Sequence, residues 1–295
     1  MIRKAVLPVA GLGTRMLPIT KVVPKELLNI IDRPTIEYVV NEAIESGVST
    51  LVFIISQGKG KIIDYFDIDM NLRSFLKERG KLDLLKKVEE VEDRIKHLIE
   101  VRQKIPEGLG HAVLMAERAV EKEPFAVLLG DDLVDADPPC LKQMIETYVE
   151  LSAKISNHSI IAVEEVPIED VSKYGIIDGE RVAENLIKIN KVIEKPLPEE
   201  APTNFAIIGR YIFDPTIFEY LKKIPKVKGE YQLTDAIQLM IDDGYPVYAY
   251  LFEGKRFDTG NKEGFFKTIL HYGIKDPQLK IVLEKFIKEE GIIED

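Results

Sequence analysis

Residues 7–25 carry the sequence LPVAGLGTRMLPITKVVPK, in which a glycine loop is accompanied by three cationic side chains. An apolar run at residues 5–7 predicts a first strand, and the glycine-containing loop 10–15 follows it. The first 25 residues contain Arg3, Lys4, Arg15, Lys21 and Lys25 and no acidic residue, although the whole chain has 50 acidic residues. A cationic glycine loop at the end of a strand predicts a phosphate-binding site.

Strand-like and helix-like segments alternate through the rest of the first half. Continuous apolar runs at 51–56 and 125–129 predict strands that are buried on both faces, and residues 98–103 predict a third. Helices are predicted at 35–46 and 112–120. This alternation predicts an α/β fold with a parallel sheet covered by helices.

The ends of these predicted strands carry glycine or polar residues. Gly11, Gln57, Gln103 and Asp131 each lie at or just beyond the end of one of the strands. Because ligands of open α/β sheets bind outside the carboxyl ends of the strands, we expect these residues to line one site.

The second half is richer in predicted strands, and the chain ends in a predicted helix. Strands are expected at 159–166, 186–193, 206–213 and 247–252, with a helix near 233–242 and a helical insertion at 69–97. The last 20 residues carry an apolar stripe that could pack on the same chain or contact a second copy. The stripe consists of Leu279, Val282, Leu283, Phe286 and Ile287.

Composition limits the classes of function and the compartment. The 295 residues are 45% hydrophobic and 31% charged, and their net charge of −10 argues against nucleic acid as a partner. The single cysteine, Cys140, excludes an internal disulfide and cysteine-based metal sites, which fits a cytoplasmic location. No run of about 18 apolar residues is present, so no membrane contact is expected.

The glycine loop has three possible interpretations. A dinucleotide-binding loop needs a third glycine where Met16 stands, and an acidic residue near Gln57, where there is none. A Walker A sequence occurs nowhere in the chain. The third interpretation is a loop whose backbone amides wrap a nucleoside triphosphate, with Arg15 and Lys25 on the phosphates; a plain glycine turn with solvated cations is its alternative.

The loop and the segment Pro24–Leu28 resemble the signature of the nucleotide-sugar pyrophosphorylases, and the Ala-Gly-Leu-Gly form points to their UTP–glucose-1-phosphate uridylyltransferase branch. Further landmarks of the family follow in order along the chain, at residues 34–38, 108–113, 130–132, 173–175, 192–196, 208–211, 229–236 and 257–261.

The resemblance implies a fold, a reaction and a cofactor. The implied fold is a Rossmann-like, mostly parallel mixed sheet of the nucleotide-diphospho-sugar transferase type. One nucleotidyltransferase domain would span 1–295, with a nucleotide-binding half at about 1–135, a strand-rich sugar-binding half at about 136–275 and a C-terminal helix at about 276–295. The implied reaction is Mg²⁺-dependent, joins UTP and α-D-glucose 1-phosphate, and releases UDP-glucose and pyrophosphate. A homo-oligomer, dimer or tetramer, is expected.

The resemblance also implies roles for individual residues. Arg15, Lys25, Asp131, Lys195 and Asp258 would be catalytic, and Asp131 and Asp258 would hold the metal. Asp132 is the weaker metal ligand and could cap the segment that follows it. Gly175, Glu194, Lys195 and Ile207 would bind the sugar phosphate, and nine residues would bind the nucleotide: Ala10, Gly11, Gly13, Thr14, Arg15, Lys25, Gln103, Pro106 and Gly108.

Two alternatives stay open at the level of sequence. A sister enzyme would use dTTP or N-acetylglucosamine 1-phosphate, and a non-catalytic sensor would bind the nucleotide sugar without turnover. Retention of the five charged residues named as catalytic speaks against the sensor, since a sensor could lose them.

Overall fold

A computed structural model describes residues 2–291, and its centre is a nine-stranded mixed sheet in the order β5-β4-β1-β6-β11-β8-β12-β10-β9. Two short ribbons, β2–β3 and β13–β7, lie outside this sheet. The strands are β1 Lys4–Pro8, β2 Asn29–Ile30, β3 Arg33–Pro34, β4 Thr50–Ile55, β5 His97–Arg102, β6 Phe125–Leu128, β7 Asp132–Asp135, β8 Ser159–Glu165, β9 Gly175–Ala183, β10 Leu186–Glu194, β11 Phe205–Phe213, β12 Val247–Leu251 and β13 Lys255–Asp258.

Helices cover both faces of the sheet and create two hydrophobic cores. Because neighbouring side chains of a strand point to opposite faces, Ala5 and Leu7 of β1 enter one core while Val6 enters the other. The helices are α1 Thr35–Glu45, α2 Gly60–Asp64, α3 Met70–Glu78, α4 Leu82–Glu92, α5 Leu109–Met115, α6 Glu117–Val120, α7 Cys140–Ser152, α8 Ile217–Leu221, α9 Leu233–Asp242, α10 Lys262–Lys275 and α11 Pro277–Glu289.

The direction of the strands differs between the two halves of the sheet. The pairs β5–β4, β4–β1 and β1–β6 are parallel, as the alternation of segments predicts. Beyond β6 only β8–β12 is parallel, and the other pairs are antiparallel. The mixed sheet is therefore confirmed, and its antiparallel part is larger than we expected because β9 and β10 form a hairpin.

The helical insertion and the C-terminal helix are both present. Helices α3 and α4 fill the predicted insertion and precede the edge strand β5. On α11, Leu279, Leu283 and Ile287 are partly buried, whereas Val282 and Phe286 are more than half exposed. The predicted helix over 276–295 lies partly outside the described residues. The homo-oligomer and the division into halves stay predictions.

No helix among residues 2–291 is long and apolar enough to cross a membrane.

A buried ion pair joins helix α1 to the centre of the sheet. Arg210 of β11 is fully buried and donates to both carboxylate oxygens of Glu42, over 3.0 Å from Nε to Oε1 and 2.7 Å from NH2 to Oε2. Glu42 also accepts from the backbone N–H of Leu141 at the start of α7. Since three elements share these two charges, removal of one partner leaves the other charge buried without compensation.

We therefore expect Arg210→Met to lower the free energy of unfolding by about 3–5 kcal/mol, because Glu42 loses its counter-ion. Urea unfolding followed by circular dichroism measures this change. Arg181→Met is the matched control, since Arg181 is exposed and, within residues 2–291, its side chain donates only to the Glu184 carbonyl. The double change Glu42→Met with Arg210→Met should recover most of the loss. An unchanged unfolding midpoint in Arg210→Met would contradict the assignment.

Candidate nucleotide and sugar-phosphate site

Side-chain hydrogen bonds to two of its carbonyl groups fix the conformation of the glycine loop. Gly13 has a φ of 67°, a left-handed conformation that favours glycine, and it precedes a short 3₁₀ turn at Thr14–Met16. Thr20 Oγ1 donates to the Gly13 carbonyl over 2.8 Å, and the buried Ser56 Oγ donates to the Ala10 carbonyl over 2.8 Å. The carbonyls of Ala10 and Gly13 are thus satisfied by side chains outside the loop.

An ion pair joins this loop region to the end of β6. Lys25 Nζ lies 2.5 Å from Asp131 Oδ2, and each side chain is only 17% exposed. Burial alone would raise the pKa of Asp131, but the Lys25 ammonium and, more weakly, the Arg15 guanidinium outweigh it and hold that pKa below its ordinary value. Burial likewise opposes the charge of Lys25, but Asp131 and Glu26 raise its pKa. Both groups are therefore charged at neutral pH.

A second buried pair anchors the same segment. Glu26 is fully buried, and its Oε2 accepts from Lys59 Nζ over 2.6 Å. Its other carboxylate oxygen has no hydrogen-bond partner within residues 2–291. Burial is the largest influence on Glu26 and raises its pKa, against the charges of Lys59 and Lys25. The Glu26–Lys59 pair anchors the backbone next to Lys25 and thereby fixes the position from which the Lys25 side chain extends.

The glycine loop forms one wall of a cavity of about 610 Å³, which we call the loop cavity. It lies at the carboxyl ends of β1, β5 and β6. All nine residues predicted for nucleotide binding line it: Ala10, Gly11, Gly13, Thr14, Arg15, Lys25, Gln103, Pro106 and Gly108. The structure therefore brings these residues together, while their roles stay predictions.

A second cavity of about 290 Å³, which we call the sheet cavity, adjoins the loop cavity. Arg15 and Asp131 line both cavities. The four residues predicted for sugar-phosphate binding line the sheet cavity together with Asp258: Gly175, Glu194, Lys195 and Ile207. The two predicted subsites therefore share a boundary at Arg15 and Asp131.

The polar groups of the sheet cavity are oriented by their neighbours. Thr234 Oγ1 donates to Glu194 Oε2 over 3.0 Å, and Lys195 Nζ lies 3.2 Å from Glu194 Oε1. Lys195 has a φ of 47° and its backbone N–H donates to the Tyr174 carbonyl. A Cβ on Gly175 would lie 2.9 Å from the Thr234 methyl carbon, so that only glycine leaves this wall undisturbed. The carboxylate and the ammonium therefore both face the cavity.

Two carboxylates converge at the boundary of the cavities. A Cβ on Gly260 would lie 2.5 Å from Asp131 Oδ2 and 3.0 Å from Asp258 Oδ1. Among residues 2–291 no cluster of three or more His, Cys, Asp or Glu side chains suits a metal ion. Two carboxylates beside a phosphate-sized cavity nevertheless fit Mg²⁺, which binds through one or two carboxylates with substrate phosphates and waters.

Sequence reasoning missed Arg256, a cationic side chain that supports this boundary. Arg256 of β13 donates to Asp132 Oδ1 over 2.6 Å and to Glu164 Oε1 over 2.7 Å, and its side chain is only 9% exposed. The available signal was its position two residues before Asp258, which places both side chains on one face of a strand. Glu164 lies 92 residues away, and no local pattern could identify it.

The expectation that Asp132 caps the following segment is wrong. Its Oδ2 accepts from the Gly209 backbone N–H over 2.8 Å, and its Oδ1 accepts from Arg256. Both partners belong to other strands, because Asp132 begins the strand β7 rather than a helix.

The fold and the cavities define a class of protein. A cationic glycine loop at the carboxyl ends of parallel strands is typical of nucleotide-binding α/β proteins, and the adjoining charged cavity offers room for a second anionic ligand.

Comparison with known proteins identifies the family within this class. Residues 4–273 match the family model described as Nucleotidyl transferase, and the chain belongs to this family. A UTP–glucose-1-phosphate uridylyltransferase of Staphylococcus haemolyticus is 47% identical, over 98% of this chain and 99% of that protein.

Solved structures agree in fold over nearly the whole chain. A UTP-bound UGPase from Acinetobacter baumannii is 40% identical with a TM-score of 0.89, and 98% of this chain and 99% of that chain are covered. A UDP-glucose pyrophosphorylase complexed with UDP-glucose is 41% identical with a TM-score of 0.84, and 94% of this chain and 100% of that chain are covered.

The Lys25–Asp131 pair makes a testable electrostatic prediction. In Lys25→Met we expect the pKa of Asp131 to rise above its ordinary value, because burial is then opposed mainly by Arg15. Carboxyl-carbon NMR of Asp-labelled protein over a pH series measures this pKa. The exposed Lys21 allows the control Lys21→Met, which should leave the Asp131 pKa unchanged. If the pKa of Asp131 were as low in Lys25→Met as in the wild type, a group other than Lys25 would keep Asp131 ionised.

Proposed function

We propose that the protein is a UTP–glucose-1-phosphate uridylyltransferase, which converts UTP and α-D-glucose 1-phosphate to UDP-glucose and pyrophosphate. The observation that carries this proposal is the 47% identity to a protein of that name over nearly the full length of both chains. The two adjoining cavities support it, because the reaction needs two polyanions side by side.

UTP would occupy the loop cavity. Backbone amides of Gly11 and Gly13 would approach its phosphates, and Gln103 with Pro106 and Gly108 would surround the uracil. The planar guanidinium of Arg15 can donate two hydrogen bonds to phosphate oxygens, while the Lys25 ammonium contributes a compact positive charge. Because Arg15 is 63% exposed and lies 3.8 Å from Asp258, it can turn towards a ligand with little loss.

Glucose 1-phosphate would occupy the sheet cavity. The Glu194 carboxylate can accept hydrogen bonds from sugar hydroxyls, and Lys195 can meet the sugar's phosphate. Lys195 is 58% exposed, so its pair with Glu194 is weak and can exchange for a phosphate. Gly175 and Ile207 would form the wall against the sugar ring.

The chemistry requires positioning more than proton transfer. An anionic oxygen of the sugar phosphate attacks the α-phosphorus of UTP, a new P–O bond forms, and the bond to the bridging oxygen of the β-phosphate breaks to release pyrophosphate. No general base is needed, since the attacking oxygen is already ionised. The residues therefore act by holding two anions in line and neutralising their charge. Alignment of this kind contributes on the order of 7–11 kcal/mol.

Mg²⁺ would be held by Asp131 and Asp258, and when bound it would neutralise phosphate charge. The neighbouring residues keep the two carboxylates ionised and oriented whether or not the ion is bound. Lys25 keeps Asp131 ionised, and the Asn261 amide donates to Asp258 Oδ2 over 2.9 Å, which orients that carboxylate. Arg256 holds the adjacent Asp132 in place.

The function is tested with the purified protein, Mg²⁺, four nucleoside triphosphates and three sugar 1-phosphates. We expect pyrophosphate release to be fastest with UTP and glucose 1-phosphate. A faster reaction with dTTP or N-acetylglucosamine 1-phosphate would support the sister enzyme. Binding of UDP-glucose without pyrophosphate release from any pair would support the sensor and overturn the proposal.

The convergence of the carboxylates predicts a sharp effect of one methyl group. Gly260→Ala should lower turnover at least about a hundredfold, because its Cβ would fill the point that both carboxylates surround. Gly273→Ala is the matched control. Gly273 lies in helix α10, and outside that helix a Cβ there would approach the Ile31 side chain at 3.8 Å, an ordinary contact distance. Coupled pyrophosphate release and thermal unfolding are measured for both variants. Full activity of Gly260→Ala would exclude the metal assignment.

A further inference from the structure

The side-chain amide of Gln103 has a defined orientation in the loop cavity. Gln103 is 2% exposed, and its Nε2 lies 3.0 Å from His111 Nδ1 and 3.5 Å from the Gly108 carbonyl oxygen. A carbonyl oxygen can only accept a hydrogen bond, so the amide nitrogen rather than the amide oxygen faces Gly108. The Gly108 carbonyl thus selects the orientation of the Gln103 amide in which Nε2 faces Gly108.

His111 strengthens this orientation through its tautomer. Because Gln103 Nε2 donates, His111 Nδ1 must accept, which places the ring proton on Nε2. The Glu107 carboxylate does not compete for this nitrogen. Its Oε2 lies 3.7 Å from Nδ1, beyond hydrogen-bonding distance, and its Oε1 accepts from Lys226 Nζ. Helix α5 holds His111 in place, with a side chain only 15% exposed. The acceptor therefore has a fixed position.

The opposite side of the amide is available to a ligand. Within residues 2–291 no group donates a hydrogen bond to Gln103 Oε1, and Gln103 lines the loop cavity. The two hydrogens of Nε2 face His111 Nδ1 and the Gly108 carbonyl, so the amide offers the cavity one acceptor, Oε1. A uracil edge presents an N3–H donor, which is the complement of this acceptor.

We propose that His111 is a positioning residue that selects uracil over cytosine by fixing the amide orientation of Gln103. Cytosine presents an acceptor at N3 and a donor at N4, so it needs the amide turned over. That rotation would place Gln103 Oε1 against two acceptors, His111 Nδ1 and the Gly108 carbonyl. The inference rests on the proposed function, since it assumes that the base binds beside Gln103.

The test compares two variants that differ in one acceptor. His111→Leu removes the acceptor and keeps an apolar side chain of similar bulk, whereas the Oδ1 of His111→Asn can replace Nδ1. Calorimetry with Mg²⁺ measures the dissociation constants of UTP, CTP and dTTP for each protein. Thermal unfolding checks folding, and His111→Ala replaces His111→Leu if the latter does not fold.

We expect the wild type to prefer UTP to CTP, and His111→Leu to reduce that preference roughly tenfold, the effect of losing one hydrogen bond. His111→Asn should stay within about threefold of the wild type. The UTP-to-dTTP ratio should be the same in all proteins, because uracil and thymine share this edge. A merely structural role of His111 would weaken all three nucleotides together.

Three results would overturn the inference: no preference in the wild type, an unchanged UTP-to-CTP ratio in His111→Leu, or equal loss in His111→Leu and His111→Asn. Binding is measured without turnover, so the outcome is separate from that of the proposed function. Absence of pyrophosphate release by the wild type would refute the function, while the nucleotide preference would still decide the role of His111.

Discussion

The ion pair between Lys25 and Asp131 is the interaction on which the proposed site depends. It joins the segment that follows the glycine loop to the turn after β6, and both residues line the loop cavity. Burial opposes both charges, and each group is the strongest of the neighbouring charges that keep the other ionised. A ligand that brings phosphates and a cation can exchange with this pair, since Lys25 would gain phosphate oxygens and Asp131 would gain the cation.

The mixed sheet explains why the two proposed ligand subsites meet at this pair. Parallel strands place the glycine loop and Gln103 at one edge, and the antiparallel half supplies Glu194, Lys195 and Ile207. Strand β6 lies between the halves and pairs with β1 on one side and β11 on the other. Asp131, three residues beyond β6, is therefore at the boundary of both cavities.

The parts of the site predicted from sequence are those that local pattern determines. Apolar runs located the strands, and their carboxyl ends located Gly11, Gln103 and Asp131, because parallel strands converge there. The contacts of Arg256, Thr234 and His111 could not be predicted, since each depends on packing between elements. Strand β9 was missed because its later residues are exposed and charged. The cap expected of Asp132 failed because partners distant in sequence, Gly209 and Arg256, compete for its oxygens.

Anomalous diffraction from crystals grown with UDP-glucose and Mn²⁺ would show whether Asp131 and Asp258 form one cation site between two anion subsites. We expect a manganese peak beside Gly260, within bonding distance of both carboxylates, with Lys25 released from Asp131 towards phosphate. A manganese peak elsewhere, with Lys25 still paired to Asp131 while UDP-glucose is bound, would contradict it.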